Sequence, residues 1–351
     1  MAGAKAAASD KGATRHILRI AIAATLAFTI AELANWDFSF LAPMLAVQLL
    51  ASAPSAPSLR QGLAMPLVIL IATALAFGVS RLFSLSPLVL LALVGLVICW
   101  SFYGQRRGAP AAIMLLVQIA FCCIPVISTI SFDLAWLFMI ELLRGSIAAV
   151  VTVWIVHLLI PSPSAPEASA TPAPSPAGHE PALAARIAIS DTLILYPVLI
   201  AFIARGDINN IVILMIALNL LRAVEPERSS RVAMAIIVGN LLGGVVAIFA
   251  YQFVVLSGSI LFFILIVLAM GLWFGERMVR GGERAPVYAI AFTTFLLILG
   301  LGIAPLPGGS EELLATRIIK ILVASAYTIG ALSLFGWLRR QPKSPASRAI
   351  G

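Results

Sequence analysis

Apolar residues along this chain come in long unbroken runs, not in the strict alternation of a half-buried strand or the narrow stripe of a water-facing helix. A helix needs about 20 such residues to cross a hydrocarbon core about 30 Å thick, and irregular backbone facing lipid would leave polar groups unpaired. The runs predict twelve spans, at 17–34, 38–52, 61–81, 86–103, 109–128, 135–160, 184–204, 208–221, 232–256, 258–275, 285–304 and 313–337. Spans 38–52 and 208–221 are short, which leaves them tilted, partly re-entrant or not fully crossing. The expected fold is an all-α polytopic membrane protein of about 12 transmembrane helices in two parallel six-helix repeats.

The repeat reading rests on matched residues on either side of a Pro/Ala/Ser-rich stretch, 161–181, which has no means of burying a core and is expected to be extended. Arg19-Ile-Ala-Ile-Ala-Ala-Thr25-Leu26 answers to Arg186-Ile-Ala-Ile-Ser-Asp-Thr192-Leu193, Asp37 to Asp207 and Arg60 to Arg231. Further on, Ala109-Pro110 answers to Ala285-Pro286 and Arg144 to Arg317. The organisation that follows is a cytoplasmic tail at 1–16, a first membrane repeat at 17–160, a cytoplasmic linker at 161–183, a second repeat at 184–338 and a cytoplasmic tail at 339–351.

Composition agrees: 61% of the 351 residues are hydrophobic, 11% are charged, and the mean hydropathy is +1.06, so the bilayer is the expected solvent. The net charge of +8 raises nucleic acid as a partner. The positions of the charges argue against it. Of the 23 Lys and Arg, 18 fall on one side of the alternating connections, only Arg81 and Arg205 on the other, and Arg144, Arg317 and Lys320 lie inside spans. The positive-inside rule then places both termini in the cytoplasm. Cys99, Cys122 and Cys123 lie within apolar runs and read as free thiols.

Ionisable groups at membrane depth are costly and mark candidate sites. Asp191 lies near the middle of its span and is the leading candidate for a protonatable carboxylate; the alternative is a structural ion pair with Arg186 or an Arg of another helix. Glu141 and Arg144 are three residues apart and can pair on one helix face. Glu32, near the end of its span, either joins the proton-coupling carboxylates or reaches the outer interface. Arg144 and Arg317, with Lys320 one turn further on, are candidates to hold an organic carboxylate in their planar forks, or else to neutralise nearby acids. Gln48 and Asn219, late in the two short spans, are candidate hydrogen-bonding partners of substrate or of one another. Gly239, Gly243 and Gly244 form a small-residue surface for close helix packing, Tyr196-Pro197 marks a possible bend, and Trp36 and Trp337 read as interfacial anchors.

The chain lacks a Walker-type glycine loop, and His16, His157 and His179 are scattered, so neither a cofactor nor a metal is expected. Transport would then run on an ion gradient, most simply of protons.

His16-Ile-Leu-Arg19-Ile-Ala-Ile-Ala-Ala-Thr25-Leu26 with its echo at Arg186, and Arg231-Val-Ala-Met-Ala-Ile-Ile-Val-Gly239-Asn-Leu-Leu-Gly243-Gly244, resemble the fusaric acid resistance and aromatic acid exporter superfamily, especially compact bacterial members. Larger members carry a cytoplasmic domain after each membrane half, where this chain has only the linker and the tail. The resemblance implies export of small organic, notably aromatic, carboxylates or drugs, and a periplasmic adaptor of the membrane-fusion type as partner. Three other functions fit the same architecture: a passive organic-anion channel, a membrane enzyme acting on lipids, and a scaffold that recruits the adaptor. A homo-oligomer is compatible with all of them.

Overall fold

The computed structural model describes residues 2–52, 56–109, 111–161, 179–205, 214–215, 217–218, 221, 230–303, 319, 323, 326–328 and 330–331. Among these residues there are ten α-helices and no strand. They are α1 (Ala2–Leu33), α2 (Leu41–Ser52), α3 (Leu59–Leu82), α4 (Pro87–Arg106), α5 (Ala111–Ser128), α6 (Phe132–Leu159), α7 (Pro181–Arg205), α8 (Ser230–Ser257), α9 (Ile260–Arg280) and α10 (Ala285–Ile303). Eight of them contain a stretch long and apolar enough to cross a membrane; α2 and α5 are shorter. The predicted spans 208–221 and 313–337 fall largely outside the described residues.

Local chemistry sets the helix ends. Ser58 closes the start of α3 with a reciprocal cap: the Gln61 N–H donates to Ser58 Oγ, and the Ser58 N–H donates to Gln61 Oε1. Ser131 accepts from the Asp133 and Leu134 N–H groups to start α6, with Asp133 favourably placed in its first turn. Proline opens α4, where its missing N–H costs nothing.

Packing follows a pattern. Helix α3 lies on α5 and α8 on α10; α4 lies on α5 and α9 on α10; then α4 crosses to α7 while α9 crosses to α1. Glycines permit the closest approaches, because a Cβ on Gly243 would run into the backbone carbonyl of Ala291. The interior is rich in aromatic contacts: Phe28 meets Phe263 and Phe38 meets Phe138 edge to face at 5.0 Å, and Phe274 stacks on Phe292 at 5.3 Å. The outside is equally apolar, with Leu63, Leu67, Ile71 and Leu75 exposed along α3, as suits a lipid-facing helix.

The link between α1 and α2 is recessed. At one end of the bundle the Arg81 guanidinium lies 4.6 Å over the Phe132 ring, and Phe77 packs on Trp136 at 5.8 Å, forming a belt where α3 ends and α6 begins. Gly145, roughly 20 Å further along α6, is where the start of α2 docks: a Cβ there would sit 3.2 Å from Leu41 Cβ and 3.3 Å from the Ala42 nitrogen. The start of α2 therefore sits against the middle of α6. Asn35, at a φ of 50°, reverses the chain there, and Trp36 packs half-buried against the core. Twelve residues make α2 about 18 Å long, too short to cross alone, as the length of its apolar run suggested.

Candidate functional site

Two pairs of opposite charge bring buried carboxylates together with arginines, Arg106 with Asp191 and Arg144 with Glu141. The first joins α4 to α7. Arg106 is the last residue of α4, and its Nη2 donates to Asp191 Oδ2 at 3.1 Å and to the Leu221 carbonyl at 3.2 Å. The side chains are 7% and 0% exposed. The sequence reading had placed Arg106 among loop cations beyond a span ending at 103. This is corrected by the structure: the helix continues through Gly104 and Gln105, which carries Arg106 onto the face that meets α7. The ion-pair alternative for Asp191 is thus realised with an Arg of another helix, while Arg186 is exposed. Next to this pair, the His179 N–H donates to the Arg106 carbonyl at 3.0 Å, and Arg107 Nη1 donates to the His179 carbonyl at 3.1 Å, so the end of the linker is pinned to the end of α4.

The second cluster lies in the recess. Arg144 Nη1 donates to Glu141 Oε1 at 2.8 Å, one turn apart on α6, with Glu141 1% exposed and Arg144 53% exposed. The other Glu141 oxygen is buried and accepts no hydrogen bond among the described residues. Asp37, on the recessed turn, is close enough to act on Glu141 electrostatically, and Glu32 and Ser39 face each other on the same turn. Pairing with Glu141 accounts for one arm of Arg144, whose side chain is half exposed. Gln48 is half-buried on α2. Arg317, Lys320 and Asn219 lie outside the described residues, so the structure does not bear on a convergence of Arg144 with Arg317.

Some placements had no counterpart in the sequence reading. Arg19, the motif arginine of the first span, is 4% exposed and donates through Nε and Nη2 to the Ile160 carbonyl at 3.0 and 2.6 Å, holding the end of α6. Gln118, fully buried on α5, has both amide atoms without a partner among the described residues; a glutamine within an apolar run was the signal for it. His16 on α1 and His157 in the last turn of α6, distant in sequence, are brought near one another. Among the described residues no group of three or more His, Cys, Asp or Glu is placed to hold a metal. Cys122 and Cys123 are buried free thiols and Cys99 a partly buried one.

Long apolar helices that expose leucine outward and enclose charged pairs are those of a multi-pass membrane protein. Residues 195–331 match the family described as fusaric acid resistance protein-like, and residues 16–156 match the family described as protein of unknown function (DUF2955). Over its second part the chain is thus similar to fusaric acid resistance protein-like proteins. Neither the curated proteins nor the solved structures gave a match.

Proposed function

We propose that this protein is a bacterial inner-membrane secondary transporter that exports small organic carboxylates, aromatic ones among them, in exchange for protons, and hands them to a membrane-fusion-type periplasmic adaptor. The observation that carries this reading is the match of residues 195–331 to the fusaric acid resistance protein-like family. The buried charges of Arg106, Asp191 and Glu141 support it, since ionisable groups survive at such depth where ions or substrates pass.

The architecture proposed with it has twelve helices in two parallel six-helix repeats, with both termini in the cytoplasm. Its support is threefold. The two family matches divide the chain where the proline-rich linker does. Helix α4 crosses to α7 as α9 crosses to α1. Gly95 receives Tyr196 at the first crossing, and Gly271 receives Ala21 at the second. In this reading Asp191, Glu141 and Glu32 carry protons, and Arg144, Arg317, Lys320, Gln48 and Asn219 line the substrate path.

The test is uptake of a labelled aromatic carboxylate such as 4-hydroxybenzoate into inverted membrane vesicles. Export predicts accumulation that a protonophore abolishes and that the Asp191→Asn protein has lost. Carboxylate movement that persists with protonophore and carries current would make the protein a channel; no movement across a panel of carboxylates would overturn the reading.

A further inference from the structure

Helix α9 has 21 residues and is about 32 Å long, close to the thickness of a hydrocarbon core, so its last turn falls at the level of the lipid headgroups. Its inner side, with Phe263, Val267, Gly271, Phe274 and Gly275, is buried. Leu261, Leu265 and Ala269 are exposed, and the row of every fourth residue that they begin continues into Trp273 and Arg277. There the row turns from apolar to polar. The Arg277 guanidinium lies 4.0 Å over the Trp273 ring and 5.9 Å from the ring of Tyr288, which comes from the first turn of α10. The two rings stand at 89° with centroids 6.3 Å apart, so α9 and α10 form a half-exposed aromatic corner that holds the arginine.

Arg277 is held in place by this chain alone. Its Nη1 donates to the Trp273 carbonyl at 3.1 Å. Nε and Nη2, the parallel donors of the guanidinium's side edge, have no acceptor among the described residues, nor has the Tyr288 hydroxyl a partner there. Such an edge matches two oxygens of a phosphate. Arg284, on the turn between the two helices, is exposed. Exposed Glu276 adjoins Arg277, so recognition here is by the fork and the rings and not by net positive charge.

We propose that this corner is a phospholipid site: the side edge of Arg277 takes two oxygens of the headgroup phosphate, the Tyr288 hydroxyl donates to the same group, and the acyl chains lie along Leu261, Leu265 and Ala269. Basic corners between helices at headgroup level are suited to such lipids. A lipid fits better than the cargo, because a carboxylate in transit has to enter the bundle, whereas this fork lies on the outer flank of α9. The inference stands apart from the exporter reading, since a protein that moves no carboxylate would still hold the lipid.

The experiment is native mass spectrometry with thermal unfolding of the purified full-length protein in a phosphate-free detergent. Three additives are compared: dioleoyl phosphatidylglycerol, dioleoylglycerol with the same tails and no phosphate, and glycerol phosphate with no tails. Wild type is expected to retain one phosphatidylglycerol and to gain at least about 3 °C in its midpoint at saturating lipid. Neither dioleoylglycerol nor glycerol phosphate should give that gain at the same concentration. Arg277→Gln should bind phosphatidylglycerol about tenfold more weakly, and Tyr288→Phe about threefold. If Arg277→Gln is not monodisperse, Arg277→Lys serves instead: the charge stays, the two-donor edge is lost, and affinity should again fall about tenfold. Arg280→Gln, at an exposed residue already paired with Asp10, should bind the lipid like wild type.

An arginine that merely braces α9 would, when replaced, lower the midpoint of the lipid-free protein and leave the lipid-induced gain unchanged. That result, or equal lipid retention by Arg277→Gln and wild type, overturns the proposal. An equal gain from dioleoylglycerol would overturn the role of the phosphate, and an equal gain from glycerol phosphate would assign the corner to a soluble ligand. Benzoate that displaces the lipid would give the corner to the cargo and overturn the proposal too. Failure of vesicles to accumulate carboxylates would touch the exporter reading alone.

Discussion

The α4–α7 crossing and the α9–α1 crossing are built alike and finished differently. In each, a glycine midway along the longer contact admits the opposing helix: Gly95 admits Tyr196, and Gly271 admits the backbone of Ala21. In each, the arginine that ends the helix reaches an aspartate across the joint, Arg106 to Asp191 and Arg280 to Asp10. The first pair is 7% and 0% exposed, whereas the second is 44% and 69% exposed, with Thr14 as a further acceptor for Arg280. One geometry therefore carries two different electrostatic weights. A pair in water is screened and worth little, while a buried pair makes each partner dependent on the other.

Removing one partner is the severest test of that contrast. Arg106→Ala leaves Asp191 without its guanidinium in the interior, and the expected loss is about 3–5 kcal/mol. This should appear as a lowered midpoint in thermal or SDS titration of the detergent-solubilised protein. A loss no larger than that of an exposed pair would mean that water reaches the site.

That difference was only half legible in the sequence. Hydropathy located the described helices to within a few residues at most ends, because burial in lipid dictates length and apolarity together. Glu141 with Arg144 was legible as well, since a spacing of three residues on a helix is itself a contact. The partner of Asp191 was not. Arg106 lies 85 residues away, in a Gly-Gln-Arg sequence that lowers hydropathy and looks like a loop, and only the packing of α4 on α7 shows that the helix continues into the contact. The shortness of span 38–52 was legible and left it tilted, partly re-entrant or not fully crossing, but its seat on α6 depends on how Gly145 receives Leu41, which one sequence does not display. Arg317, Lys320 and Asn219 lie outside the described residues.

Steric tests come next in size. At α9–α1 a new Cβ on Gly271 would stand 2.8 Å from Ala21 Cα. Backbone has nowhere to go, so Gly271→Val should cost about 1–3 kcal/mol, read by the same titration. At α4–α7 the obstacle is the Tyr196 ring, anchored by its hydroxyl, which donates to the Leu91 carbonyl at 2.6 Å. Tyr196→Phe removes that bond and keeps the ring, for an expected loss of about 0.5–1.5 kcal/mol. If Gly95→Ala proves milder in the Tyr196→Phe background than alone, the ring is what holds that joint closed.

The smallest effect is expected where the ion pair looks most like its counterpart on paper. Arg280 Nη2 approaches Asp10 Oδ1 at 2.9 Å, closer than Arg106 approaches Asp191. Distance alone would rank it the stronger. Exposure reverses the order: Arg280→Ala should cost about 0–1 kcal/mol, and less again in high salt. The comparison is made by titrating Arg280→Ala and Arg106→Ala side by side at low and high ionic strength. A salt-sensitive, small loss for the first and a salt-insensitive, large loss for the second would show that the two joints differ through solvent access and not through the reach of the arginine. Equal losses would mean that the α9–α1 joint is closed off from water in the membrane, by lipid headgroups or by a neighbouring protein, and that both arginines hold the bundle shut.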